Sequence, residues 1–383
     1  MQRPAKLVSL FAAGAVALTA VTLGRDYARG ASLVIQAAGI QGWPNTIASW
    51  QAEAVSVEAI GIPTRHATLT ARIYRPAGAI RRAVLMVPGV HAAGIEEPRL
   101  TGFAEDLAAR GFAIVTADLP DLRRYAITPR ATDMIEDAVR WLSERRELAP
   151  DGRPGLVGIS FGGGLSVVAA GRPSIRDRVA FVLSFGGHGD LRRTLRYLCT
   201  GLLPDGRRHP PHDYGVVIIL LGVAERLVPA DQVEPLRQGI HTFLEASHVD
   251  MVDKARAQTI FDRARTLAAG MPEPSRTLMR AVNDRDVAGL GPRLLPHIEA
   301  LGNDRAVSPV DAPAPSAPVF LLHGADDNVI PAMESTLLGE HLRPHTEVHV
   351  LLTPLITHAE VNRPADWGEI WRLVSFWTAI LDE

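Results

Sequence analysis

Four short apolar runs constrain the fold of this chain more than any other feature. Ala83–Val87, Phe112–Ala117, Gly155–Ile159 and Val179–Phe185 are each almost continuously apolar, with no alternation of polar residues. A strand that is apolar on both sides needs cover on both sides, which is the condition of a parallel sheet and not of a half-wet antiparallel one. Stretches with helical spacing separate the runs: about Pro98 to Arg110, stopped by Gly111, about Arg130 to Glu147, and from a Gly-rich turn to about Ala170. Strands alternating with helices of this length predict βαβ units, an α/β fold with a mostly parallel central sheet and helices on both faces.

Two segments before these runs behave differently. Ala54–Ile60 and His66–Tyr74 alternate apolar with polar, which predicts an antiparallel hairpin with one wet face. After Phe185 the strand pattern pauses. From His188 to about Ser316 only helical stretches follow, near 191–203, 216–228, 232–246, 249–269 and 275–290, and a proline-rich linker (Pro309, Pro313, Pro315, Pro318) closes the block. The strand–helix pattern then resumes with Val319–Leu322, Pro331–Arg343, Glu347–Leu352 and Asp366–Leu381. The chain therefore divides into an α/β core in two parts, residues 31–188 and 316–383, and a helical insertion over residues 189–315.

Residues 1–30 read as a separate segment. Arg3 and Lys6 precede an uncharged apolar stretch from Leu7 to Gly24. As a helix it would reach about 27 Å at about 1.5 Å per residue, close to the roughly 30 Å of a bilayer's hydrocarbon core. The small-x-small cleavage candidates are poor, so an uncleaved membrane anchor is the first expectation and a cleaved export signal the second. Arg25 and Arg29 follow the stretch and leave its orientation unspecified. The rest of the composition works by exclusion. A formal net charge of −2 supplies no basic footprint for nucleic acid. The one cysteine, Cys199, leaves no intrachain disulfide and no cysteine metal cluster. No G-x-G-x-x-G follows a strand, and His209-Pro-Pro-His212-Asp213 lacks a metal-ligand spacing, so no cofactor or metal is predicted.

Chemistry concentrates at Gly158-Ile159-Ser160-Phe161-Gly162, between the third apolar run and a helix. A sharp strand-to-helix turn lifts a serine hydroxyl clear of the sheet, and crowding in that turn demands glycine two residues to either side. A serine hydroxyl is a weak nucleophile and needs a base oriented by an acid, in the chain order serine, acid, histidine. Two downstream loops, each after a strand, offer them: Leu321-Leu322-His323-Gly324-Ala325-Asp326-Asp327-Asn328 and Leu355-Ile356-Thr357-His358-Ala359. Asp190, just past the fourth run, is an alternative acid, and Asp326 has the alternative role of shaping its turn. His91 and His188 lie in loops expected to face the site, whereas His323 is expected to be structural.

With these motifs the sequence resembles the α/β-hydrolase superfamily over about residues 53–188 and 316–383. The resemblance implies Ser160 as nucleophile, Asp327 as acid and His358 as general base. The acid is placed by the H-G-x-x-D spacing counted from His323 and Gly324. Pro88-Gly89-Val90-His91 is similar to the family's H-G-x oxyanion loop, with proline in place of the usual histidine. Val90 and Phe161 N–H are then the implied oxyanion donors, with His91 N–H the alternative to Val90. The insertion corresponds to the helical cap common in the family, and its run Val216–Leu221 could line an acyl pocket or simply pack the cap. The implied activity is hydrolysis of a small-molecule carboxylic ester with an apolar acyl group, through an acyl-enzyme. A thioesterase, lactonase or dienelactone-hydrolase-like enzyme is the neighbouring alternative. A catalytically silent, membrane-anchored binding protein is the alternative of a different class.

Overall fold

The computed structural model describes residues 53–356 and 367–383. The apolar stretch 7–24 and His358 lie outside the described residues. Among the described residues, no helix is long and apolar enough to cross a membrane.

Eight strands form one sheet: β1 (Val55–Pro63), β2 (Thr68–Pro76), β3 (Arg82–Val87), β4 (Phe112–Ala117), β5 (Gly155–Ile159), β6 (Val182–Phe185), β7 (Val319–Gly324) and β8 (Val348–Thr353). Their order is β1-β2-β4-β3-β5-β6-β7-β8. The expected hairpin is there: β1 pairs antiparallel with β2, and β2 pairs antiparallel with β4. Every other pairing is parallel. β4 is buried along its whole length, as its continuous apolar sequence requires, while β1 is mostly exposed at the sheet edge.

Helices cover both faces. α1 (Pro98–Ala108) follows β3, and a short α2 (Pro120–Arg123) and α3 (Pro129–Ser143) follow β4. α4 (Phe161–Ala170) follows β5. α1 and α3 both begin with proline in the first turn, where a missing N–H costs nothing. Each is capped by the residue before: the Glu97 carboxylate accepts from Leu100 N–H and the Thr128 hydroxyl from Ala131 N–H. α1 packs on one face of the sheet and α3 and α4 on the other.

The insertion is helical, as its sequence predicts: α5 (Leu191–Thr200), α6 (Asp213–Leu227), α7 (Ala230–Asp250), α8 (Lys254–Gly270), α9 (Ser275–Asn283), α10 (Val287–Leu294) and α11 (Glu299–Gly302). α5 stops short of Leu203 because Gly201 takes the left-handed conformation (φ 66°) that ends a helix. After β7 come α12 (Met333–Leu342), β8 and α13 (Trp367–Asp382), which joins α1 on the second face. This mostly parallel sheet, covered on both sides and interrupted by a helical cap between β6 and β7, is an α/β-hydrolase fold.

The strand order locates a crevice. From β3 the chain crosses to β4 on one side, then returns across the sheet to β5 on the other. Such a reversal leaves a gap at the carboxyl ends of the two strands, where open α/β sheets bind ligands. The loops that leave β3 and β5 carry Val90 and Ser160.

Candidate active site

Ser160 sits between β5 and α4 with φ 52° and ψ −131°, a backbone conformation that is almost the preserve of glycine. A non-glycine residue held there costs on the order of 1–3 kcal/mol, so its surroundings must impose it. They do. Ser160 N–H donates to the Phe185 carbonyl at 2.7 Å, tying the turn to the end of β6. A Cβ added at Gly158 would collide with the Gly162 carbonyl, and one at Gly162 with the Pro88 carbonyl. Both glycines of the pentapeptide are therefore fixed by crowding, as the sequence pattern requires. Gly164, one turn into α4, meets the imidazole of His188 in the same way, which lets the helix lie directly on that histidine. Ser160 is partly exposed, and its hydroxyl makes no hydrogen bond among the described residues.

The β3 loop lies against the serine. A Cβ at Gly89 would stand 3.2 Å from Ser160 Cβ and 3.8 Å from its Oγ, so only a residue without a side chain permits this approach. Val90 follows and is buried. Its carbonyl accepts from the Tyr214 hydroxyl of α6 at 2.9 Å. Two residues on, the Ala92 carbonyl accepts from Arg123 Nε at 3.0 Å. The N–H groups of Val90 and Phe161 donate no hydrogen bond among the described residues.

The loop that carries Asp326 and Asp327 reaches the same edge of the sheet from β7. Asp327 is buried and Asp326 exposed. Asp327 Oδ1 accepts from Val329 N–H at 2.8 Å and from Ile330 N–H at 3.0 Å. This corrects one expectation: the carboxylate that shapes the turn is Asp327, not Asp326. The loop is a tight turn, with Asp327 N–H donating to the Gly324 carbonyl at 3.2 Å, so the two aspartates do not simply alternate as in an extended chain. Oδ2 lies 3.7 Å from where a Gly186 Cβ would be, at the end of β6, and 3.4 Å from His323 Nε2. His323 is structural, as expected, although it belongs to β7 and not to the loop. Its Nδ1 pairs with the Ser335 hydroxyl at 2.7 Å and its Nε2 with the Ile330 carbonyl at 2.8 Å, bracing the turn from beneath.

His358 lies outside the described residues, but the chain leading to it can be followed. β8 pairs in parallel with β7 as far as Gly324↔Thr353. A Cβ at Gly324 would collide with the Ile356 carbonyl. The chain two residues before His358 thus rests on the strand end that carries Asp327.

The remaining candidates take structural roles. The Asp190 carboxylate caps α5 by accepting from Arg193 N–H at 3.1 Å. His188 is fully buried beneath α4, with its Nε2 2.7 Å from the Val307 carbonyl, and does not face the crevice as expected. His91 is half-buried and meets the ring of His248 from α7 edge-on at 4.5 Å. Burial, and then the nearby His248, hold its imidazole down at about 4. His212 caps α6, its Nδ1 accepting from Tyr214 N–H at 3.2 Å. Among the described residues, no group of histidine, cysteine and carboxylate side chains is arranged to hold a metal. All six residues of Val216–Leu221 are buried in the core that the cap shares with the sheet. Nothing in the sequence marks Tyr214, Tyr197 or Tyr125, because lone tyrosines in helical and loop segments carry no spacing signal.

No protein-family model matches the sequence, and no curated protein sequence matches it. Solved structures do resemble it. Acylaminoacyl peptidase from Pyrococcus horikoshii superposes with a TM-score of 0.47 at 13% identity, over 89% of this chain and 43% of that one. The chain thus spans less than half the length of the peptidase. An esterase from Pyrobaculum calidifontis gives 0.46 at 15% identity, over 94% and 92% of the two chains. A dienelactone hydrolase from Anabaena variabilis gives 0.42 at 18% identity, over 85% and 96%.

Proposed function

We propose that the protein is a serine hydrolase that cleaves a small-molecule carboxylic ester through an acyl-enzyme. The observation that carries this reading is the backbone of Ser160, held at φ 52° and ψ −131° on a strand-to-helix turn with Gly89 packed against it. Strain of this kind persists where a protein over-determines it, and functional sites are where it clusters. Asp327 at the neighbouring strand end and the approach of residue 356 toward it support the same reading.

In the proposed reaction, Ser160 Oγ attacks the ester carbonyl carbon while His358 takes its proton. Asp327 orients the imidazole and stabilises its charged form. The carbonyl oxygen becomes an oxyanion, bound by the N–H groups of Phe161 and Val90. Phe161 is the first residue of α4, where helix N–H groups lack partners and the dipole favours negative charge. Collapse expels the alcohol with the proton from His358. Water, deprotonated by His358, then releases the acid and restores Ser160.

A fluorophosphonate probe tests this, because it labels only an activated serine. The wild-type protein should label stoichiometrically at Ser160 and hydrolyse p-nitrophenyl esters. Ser160→Ala should do neither, with a loss in kcat on the order of 10⁶. A wild-type protein that stays unlabelled, or a Ser160→Ala variant that turns over like wild type, would refute the assignment.

A further inference from the structure

The start of α6 reaches two loops of the crevice at once. His212 N–H donates to the Asn328 carbonyl at 2.9 Å, immediately beyond Asp327. Two residues later the Tyr214 hydroxyl donates to the Val90 carbonyl at 2.9 Å. The Tyr197 hydroxyl of α5 adds a second bond to Asn328, at 3.2 Å. A short stretch of the cap therefore bridges the acid loop and the loop beside Ser160, which the sequence separates by more than two hundred residues.

Peptide planarity gives the Tyr214 bond its consequence. The Val90 carbonyl and the His91 N–H share one rigid plane, so a donor on the carbonyl fixes that plane. On the other side of Val90, Gly89 is wedged against Ser160. With both flanking peptides held, the direction of the Val90 N–H is set before substrate arrives. Oxyanion stabilisation depends on such preorganisation, because a donor that must reorient during the reaction loses most of its value. Burial pushes the Tyr214 phenol well above the ordinary tyrosine range, so it remains a donor throughout the working pH range. The ring is kept in place by an edge-on contact with Tyr125 at 6.0 Å.

We propose that Tyr214 is a positioning residue for the oxyanion loop: through its hydroxyl the cap holds the Val90–His91 peptide, and with it the Val90 donor, in register with Ser160. The inference rests on the reading of Ser160 as nucleophile and Val90 as oxyanion donor. It makes the cap part of the catalytic framework as well as a cover.

Tyr214→Phe removes one oxygen and keeps the ring. Three readouts are taken on wild type and variant: fluorophosphonate labelling, kcat and KM for a p-nitrophenyl ester, and Ki for a trifluoromethyl ketone, which forms an oxyanionic adduct with an activated serine. Removing an oxyanion donor outright costs about 10²–10³ in kcat, so misplacing one should cost roughly 10–100-fold. The expected result is that drop in kcat, a KM within about threefold of wild type, and a Ki raised by the same factor as kcat falls. A purely structural role would lower the melting temperature and leave Ki unchanged. A wild-type protein that labels, with a folded variant matching its kcat and Ki, overturns the role of Tyr214 alone. A wild-type protein that does not label overturns the serine-hydrolase reading and this inference with it.

Discussion

At the scale of single residues, the turn that carries Ser160 is held by close approaches at its two flanking glycines. A Cβ at Gly158 would meet the Gly162 carbonyl, inside the pentapeptide itself, whereas one at Gly162 would meet the Pro88 carbonyl beyond β3, which a five-residue pattern does not contain. The choice of Asp327 rests on spacing alone. From sequence, Asp326 and Asp327 are equivalent neighbours, and nothing local says which is buried. The structure separates them: Asp326 is exposed, while Asp327 directs one oxygen to two backbone N–H groups and the other toward the end of β6. A single carboxylate can serve both tasks because it has two oxygens with about four acceptor sites. The consequence is measurable. Asp327→Asn should lower kcat by about 10⁴, as loss of the acid does in a serine triad. Asp326→Asn changes an exposed group, and Asp190→Asn keeps a capping side chain on α5, so each should cost less than about tenfold. Kinetics of the three variants on one p-nitrophenyl ester decide the matter. A larger loss from either of the latter two would remove Asp327 from its role.

At the scale of elements, the strands and helices follow their periodicity closely, but their contacts with one another do not appear in it. The placement of His188 shows the difference. A histidine just past a strand reads as a loop residue at the site, yet Gly164, where a Cβ would strike the imidazole, lets α4 close over it. The pairing of His91 with His248 is likewise invisible in sequence, since it joins the β3 loop to α7. That contact has a pH consequence. His91 titrates at about 4 in the folded protein, against about 6.5 for an ordinary histidine; burial is the main cause, the nearby His248 the next, Arg99 lowers it further and Glu97 partly offsets them. The unfolded chain therefore binds a proton that the folded one refuses as pH falls from about 6.5 toward about 4. Stability present above that window is lost through it, and His91 contributes no further loss below it. His188, also lowered by burial, acts in the same direction. In His91→Asn, whose amide can still accept from Ala93 N–H, the melting temperature should fall less steeply between pH 6.5 and 4 than in wild type. Parallel curves for the two proteins would show that the His91–His248 contact carries no proton linkage.

At the scale of the whole molecule, the interruption of one α/β domain by a helical block was readable, because strand runs stop at Phe185 and resume at Val319. What the block does to the core was not readable. Amphipathic spacing shows that a helix face is apolar, and it does not show what covers that face. Here the cover is the neighbouring cap helices and the buried cluster they share with the core. Leu85, Val115 and Leu156 of the sheet, Leu165 of α4, and Ile219, Leu236, Met279 and Leu290 of the cap belong to one continuous buried cluster. The buried ion pair of Glu334 in α12 with Arg193 in α5 ties the same two parts together, with Glu334 also accepting from the N–H groups of Gly189 and Asp190. Domains that fold alone have their own cores, with few contacts crossing the boundary. The buried cluster of this cap is continuous with that of the core, so cap and core should unfold together. Calorimetry of the full chain should give one cooperative transition whose calorimetric and van't Hoff enthalpies agree. Replacing residues 191–308 by a short flexible linker should leave a chain without a cooperative melt, since it opens to water the apolar surface that the cap residues of the shared cluster now bury. Two resolved transitions in the intact protein, or a linker variant that melts cooperatively, would mean that the core stands without its cap. The bonds of Tyr214 and His212 would then join two independent bodies instead of running through one.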